Sequence, residues 1–176
     1  MTFWNQAALE PKRNYRWQLY IDGFSVSTVW WAKTVTLPSF DVSEVEHNYF
    51  DNKFYFPGRV SWSEVEATLV DPVDPDAAKN LMSILINSGY NIADQPEEKP
   101  TISKKKAVED GIKKISIMLF DSNENAVEIW TLHNAFIKAA KFGDMDYSND
   151  ELKTVSLTIR YDWASFEAAD GTGYLS

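Results

Sequence analysis

The only imidazoles in this chain are His47 and His133, and there is no cysteine. A zinc site built from them must recruit carboxylates for its remaining ligands. Each histidine falls inside a strand-like segment and nothing in the sequence makes them neighbours, so ordinary strand positions are expected. Asp71-Pro72-Val73-Asp74-Pro75-Asp76 groups three carboxylates. A calcium loop needs a longer ligand series and a glycine at its middle, whereas a helix start explains every one of these residues. Serines are plentiful, yet no Gly-x-Ser-x-Gly elbow holds one as a nucleophile. Gly171-Thr172-Gly173 lacks the rest of a phosphate loop. Lys104-Lys105-Lys106, with Lys113 and Lys114, forms a basic cluster without the interleaved aromatics that stack nucleic-acid bases. It reads as a solvated or salt-bridging face. No metal, no cofactor and no catalytic site is expected, and the chain is expected not to be an enzyme.

Carboxylates on strand faces are more informative. Glu44 and Glu46 are two residues apart, as are Glu64 and Glu66, and period-two geometry puts each pair on one face. If their strands flank a hairpin, the four acids line one surface. The plain alternative is that polar residues face solvent.

The elements that must position these residues are mostly strands, because alternation at period two dominates. Strands are expected over 15–22, over 29–35, over 40–48 and over 53–56. The fourth stops at Pro57-Gly58, which fits the central positions of a type II turn. From Ser61 to Val70, Ser63, Val65, Ala67 and Leu69 share one face, and Trp62, Glu64, Glu66 and Thr68 the other. One helix follows, with Asp74 as cap, Pro75 in the first helical position and Asp76 at the positive end of the dipole. Ala77, Ala78, Leu81, Met82 and Leu85 form its apolar stripe, and Ser88-Gly89 ends it. Residues 91–110 read as a long loop with a short helix near 103–110. Strands resume over 115–120, 127–132, 135–142 and 155–163, and residues 164–176 are expected to be mobile.

The class is therefore mainly β: an antiparallel β-sandwich or barrel with one flanking α-helix. A single domain is expected over residues 1–176, with an N-terminal arm over 1–12 and a C-terminal extension over 164–176. The formal net charge is −9, with the surplus of acids concentrated in residues 61–100 and 144–176. Such a chain is a poor partner for phosphate backbones, which are bound by displacing counterions with Lys and Arg. No apolar run reaches the roughly 18 residues of a membrane span, and the first residues lack the features of a signal peptide. A soluble protein made in the cytoplasm, with no membrane anchor, is expected. Seven Trp among 176 residues suit a Trp-rich core and large protein contacts equally.

The sequence also resembles the tail-tube proteins of T4-like contractile-tailed phages, most of all their cyanophage members. The resemblance runs over roughly residues 12–163. It is carried by Arg13-Asn14-Tyr15-Arg16-Trp17, by Lys33-Thr34-Val35-Thr36-Leu37-Pro38, by the segment from Asn52 through Pro57-Gly58-Arg59 to Trp62, by Leu69-Val70-Asp71-Pro72, and by the stretch from Asn149 to Trp163. It implies a virion structural protein: hexameric rings stacked into a hollow tube inside a contractile sheath, with genome DNA passing through the bore. Implied partners are further copies of the chain, the sheath protein, and baseplate and tube-terminator proteins. A tube-initiating baseplate protein or an injection-system tube subunit shares the fold; a ligand-binding β-sandwich is the alternative outside the class. In the related proteins a hairpin reaches the adjacent ring, which here implicates Tyr49, Phe50, Phe54, Tyr55, Phe56, Pro57, Gly58 and Arg59. Glu44, Glu46, Glu64 and Glu66 are the lumen-facing candidates, with Val45, Val65, Ala67 and Leu69 packed into the core behind them.

Overall fold

The computed structural model describes residues 11–22, 32–74, 76–90, 101–112 and 114–175. Eleven strands are described: β1 (Trp17–Ile21), β2 (Ala32–Val35), β3 (Phe40–Tyr49), β4 (Asn52–Trp62), β5 (Val65–Val70), β6 (Ile115–Phe120), β7 (Ala126–His133), β8 (Phe136–Lys141), β9 (Thr154–Arg160), β10 (Trp163–Ala168) and β11 (Gly173–Tyr174). They form a five-stranded sheet in the order β1-β6-β7-β10-β11, a four-stranded sheet β2-β5-β9-β8, and a separate two-stranded ribbon β3-β4. Every pairing is antiparallel. The mainly β architecture with antiparallel sheets and short helices is the class the alternation predicts.

The core lies between the two larger sheets. Val65, Ala67 and Leu69 of β5 meet Val155, Leu157 and Ile159 of β9, all buried, and Ile115, Ile117, Leu19 and Leu132 close the opposite wall. Burying each such Val, Leu or Ile stabilises the fold by about 1.5–3 kcal/mol. The expected inward face of β5 is therefore correct. Trp62 breaks the pattern. The chain leaves strand geometry at Ser63 and Glu64, the alternation resets there, and Trp62 packs against the core instead of sharing the outward face of Glu64.

The helix α1 (Ala77–Asn87) is capped by Asp76, not Asp74: the Asp76 carboxylate accepts the Lys79 backbone N–H at 2.9 Å. Asp71 is used nearby, accepting from the Ala77 N–H at 3.2 Å and pairing with Lys153 at 2.7 Å. Pro75 lies outside the described residues. Ala77, Leu81 and Ile84 turn inward, whereas Met82 and Leu85, expected in the stripe, are exposed. Gly89, at φ 102°, ends the helix. The short helix expected near 103–110 is present as α2 (Lys104–Lys106), capped by Ser103 and continued by a π-helical turn over Ala107–Gly111.

Residues beyond Trp163 are a correction. Instead of a mobile end, β10 pairs with β7 from Trp163↔His133 to Ala168↔Glu128, and β11 adds to its far side. Ala164 is buried and Phe166 packs on Trp130 at 4.8 Å. The segments 1–10, 23–31 and 91–100 lie outside the described residues, and with them the expected strand positions Val29, Trp30 and Trp31.

The ribbon contains a second correction. Pro57-Gly58 does not form the turn; both residues lie inside β4, and the turn is Phe50-Asp51, with Phe50 at φ 53°. Proline cannot donate to the ladder, so a strand tolerates it at an edge or a bulge. The register supplies the bulge: Val42 faces Val60, but Glu44 faces Pro57. The extra residue of β4 is accommodated opposite Ser43, whose hydroxyl accepts the Arg59 N–H at 2.9 Å. A Cβ on Gly58 would sit 2.3 Å from Ser43 Oγ and 2.9 Å from Ser43 O. Gly58→Val should therefore open the ribbon between Ser43 and Arg59. The expected result is faster amide exchange at Val42 and Val60 with unchanged exchange at Leu157; unchanged protection in the ribbon would refute the close-approach account.

Candidate assembly interface

The ribbon is the chain's most unusual surface. Its strands of 10 and 11 residues are exposed throughout except for partly buried Trp62, and it pairs with neither larger sheet. Ten residues at about 3.3 Å each carry its tip roughly 33 Å from its root. The register fixes which side chains share a face. At the root, Phe40, Trp62, Val42 and Val60 lie together, with Phe40 and Trp62 edge-on at 5.4 Å. Beyond the bulge this same face carries Glu44, Pro57, Glu46, Tyr55 and Lys53, while the opposite face carries Val45, Phe56, His47, Phe54 and Tyr49. The extra residue at Gly58-Arg59 shifts the pleat of β4 by one, so the apolar face changes sides half-way along. The root face packs on the body through Trp62 and Tyr161, 6.0 Å apart. The outer apolar face points the other way, where the chain's own core cannot cover it. Val45, expected in the core, is 60% exposed there, and Phe54 and Phe56 are 48% and 56% exposed.

The four glutamates are not brought together. Glu44 and Glu46 share the outer polar face of the ribbon, opposite Pro57 and Tyr55. Glu66 lies on β5 opposite Thr158 of β9, and Glu64 in the break before β5. The hairpin closes β3 on β4 rather than on β5, so Glu44 and Glu46 never face Glu64 and Glu66. Glu64 pairs with Lys138 at 2.6 Å and Arg160 at 3.8 Å, and Glu46 with Lys53 at 3.1 Å.

The lysine cluster forms ion pairs: Lys104 with Asp162, and Lys105 with Glu109 one helical turn away. Lys113 lies outside the described residues. His47 is on the ribbon and His133 on β7. Among the described residues no three His, Asp or Glu side chains converge on a metal position, and no helix is long and apolar enough to cross a membrane.

One polar contact was hidden from the sequence because β10 was. His133 Nε2 lies 2.7 Å from Ser165 Oγ, and its ring stacks on Trp163 at 4.9 Å and 6°. A Ser–His contact activates a serine when a carboxylate orients the imidazole. The neighbouring Asp162 carboxylate instead takes hydrogen bonds from Lys104 and Asn134. Burial, aided by the Lys114 charge, holds the His133 imidazole below its ordinary value. The folded imidazole takes up its proton less readily than the unfolded one, so its contribution is complete above roughly pH 6.5 and is lost as pH falls toward the folded value. Asp162, held low by Lys104 and Asn134, loses its contribution the same way below about pH 4. The melting temperature should begin to fall just below about pH 6.5. His133→Gln should remove that first limb and leave the one below about pH 4. A first limb that survives His133→Gln would assign it to another group.

No protein-family model matches this chain, and no curated protein sequence matches it. Solved structures do. A chain of the anti-feeding prophage tube-terminating cap superposes with a TM-score of 0.65 at 15% identity, over 93% of this chain and 95% of that one. A chain of the six-fold symmetrised anti-feeding prophage baseplate gives 0.64 at 12% identity, over 92% and 98%. A chain of the sheath–tube complex of an extracellular contractile injection system, in the extended state, gives 0.62 at 17% identity, over 96% and 99%. The fold is that of contractile-system components. Coverage exceeds nine-tenths in both directions, so the likeness extends over most of the length of each chain.

Proposed function

We propose that this chain is a structural subunit of a virus-type contractile tail tube. Copies close into rings, the rings stack into a hollow conduit inside a sheath, and genome DNA passes through the bore. The carrying observation is the ribbon: a long, amphipathic, unpartnered two-stranded element whose outer apolar face turns away from its own core. Such a surface is covered by another chain or remains an aggregation hazard. A contact between two different patches on identical subunits is heterologous, and closes into rings or propagates as filaments. The likeness to tube, cap and baseplate chains supports the same reading, and the resemblance to T4-like tail tubes adds the phage setting.

The bore reading rests on overall charge. A net charge of −9 suits a conduit that DNA must traverse without sticking, because attractive contacts would hold the strand. Glu44 and Glu66, which enter no ion pair among the described residues, are the better lumen candidates; Glu46 and Glu64 are already paired. The role is structural rather than catalytic. Similarity to a cap and a baseplate chain favours a second reading, in which this copy starts or ends a tube. Negative-stain microscopy separates the readings. A tube subunit forms stacked rings when concentrated or when supplied with a baseplate, whereas an initiating or capping protein gives single rings that do not grow. A strictly monomeric protein under both conditions overturns both.

A further inference from the structure

The outer apolar face of the ribbon carries one side chain that does not suit it. Val45, His47 and Tyr49 of β3 share that face, with Phe56 of β4 opposite Val45 and Phe54 opposite His47. The imidazole is thus set among Val45, Tyr49, Phe54 and Phe56. β3 is hydrogen-bonded to β4 alone and His47 is exposed, so in a single copy the ring is open to water. The charged groups of the ribbon lie elsewhere. Glu44, Glu46 and Lys53 occupy the other face, where Glu46 and Lys53 pair. Asp41 and Arg59 lie toward the root, and Asp51 sits in the turn.

An imidazole in water changes charge near pH 6.5, whereas a phenol such as that of tyrosine keeps its proton to about pH 10. A neutral ring enters an apolar contact at modest cost. A protonated one must also give up the hydration of its charge, which is far more costly unless a counter-charge meets it. A partner that covers this face therefore takes the neutral imidazole and excludes the cation.

We propose that His47 makes assembly through the ribbon depend on pH: copies associate while it is neutral and separate when it is protonated. The inference rests on the tube reading and adds a control to it. Assembly releases the proton, so the contact is at full strength above about pH 6.5 and weakens about tenfold per pH unit below it.

His47 and His133 are the chain's two imidazoles, so the test is made in a His133→Gln background, which removes the other one. The concentration at which the protein begins to pellet as rings or tubes is measured at about pH 7.5 and about pH 5.5, either side of the ordinary imidazole value. With His47 in place that threshold should rise about tenfold on acidification. His47→Gln, uncharged throughout, should hold it constant. His47→Lys, charged throughout, should raise it at both pH values. The dilute subunits should melt alike, because the position is exposed and such substitutions change stability little. A threshold that does not move with pH overturns the gate and leaves the tube reading intact. So does one that falls on acidification, which places a partner carboxylate against the imidazole. A His47→Gln chain that keeps the tenfold rise assigns it to another group and also overturns the gate. A protein that assembles at neither pH, even when supplied with a baseplate, overturns the tube reading and the gate together.

Discussion

Replacing Phe54 and Phe56 with alanine should abolish ring or tube assembly while leaving the isolated subunit folded. Both rings lie on the outer apolar face of the ribbon, about half exposed, and neither belongs to the buried core cluster. Substitutions at such positions change subunit stability by no more than about 0.5 kcal/mol, or roughly 1–2 °C in melting temperature. In an assembly the same rings become interface anchors. Truncating an anchoring aromatic costs on the order of 2 kcal/mol, roughly a thirty-fold loss per contact. Every subunit repeats the contact, so the loss falls on each step of growth. The measurements are differential scanning fluorimetry on the dilute subunit and sedimentation on the concentrated one. A melting temperature that falls as far as assembly does would place these rings in the core.

The contrast between legible and hidden elements follows from how local each signal is. β6 was readable to the residue, because Ile115-Ser116-Ile117-Met118-Leu119-Phe120 is β-prone on both faces and ends at an Asp121 turn. That turn was readable too: the Asp121 carboxylate accepts the N–H groups of Asn123 and Asn125. The ribbon's existence was legible from its aromatics, but its geometry was not. Pro57-Gly58 carries a strong turn signal, and only the pairing register shows that Pro57 pairs with Glu44 while Gly58 and Arg59 form a bulge opposite Ser43. The real turn, Phe50-Asp51, has no glycine to announce it. Misplacing the turn moved the pairing partner of β3, and with it the supposed cluster of Glu44, Glu46, Glu64 and Glu66. β10 was missed for a different reason. Trp163-Ala164-Ser165-Phe166 alternates weakly and is followed by Asp170-Gly171-Thr172-Gly173, and its strand character comes from β7 beside it, whose paired residues, from His133 opposite Trp163 to Glu128 opposite Ala168, are distant in sequence. An apolar groove between α1 and β8 was out of reach as well, since it exists only where Met82 and Leu85 of α1 come to lie beside Phe142.

Trp62→Ala should do what the ribbon variants do not, and lower stability and assembly together. Trp62 is the joint between body and ribbon. Its ring packs against the core and against Tyr161 at 6.0 Å on one side, and meets Phe40 at 5.4 Å on the other. Its carbonyl accepts from Arg160 at 3.2 Å, and the Ser63 N–H returns to Ser39 at 2.9 Å, closing the root. Removing the indole leaves a cavity at the edge of the core, at a cost of about 3–5 kcal/mol. For a chain of this length that corresponds to roughly 10 °C in melting temperature. The same cavity frees Phe40 and lets the whole ribbon swing about its root, so the outer apolar face is no longer presented in one direction. Ordering it again on a partner then costs conformational entropy that the native joint has already removed. Trp62→Phe keeps an aromatic at the joint and should recover most of both properties. If Trp62→Ala melted like the native chain, the ribbon would be held by something other than this joint, and its fixed direction would need a different cause.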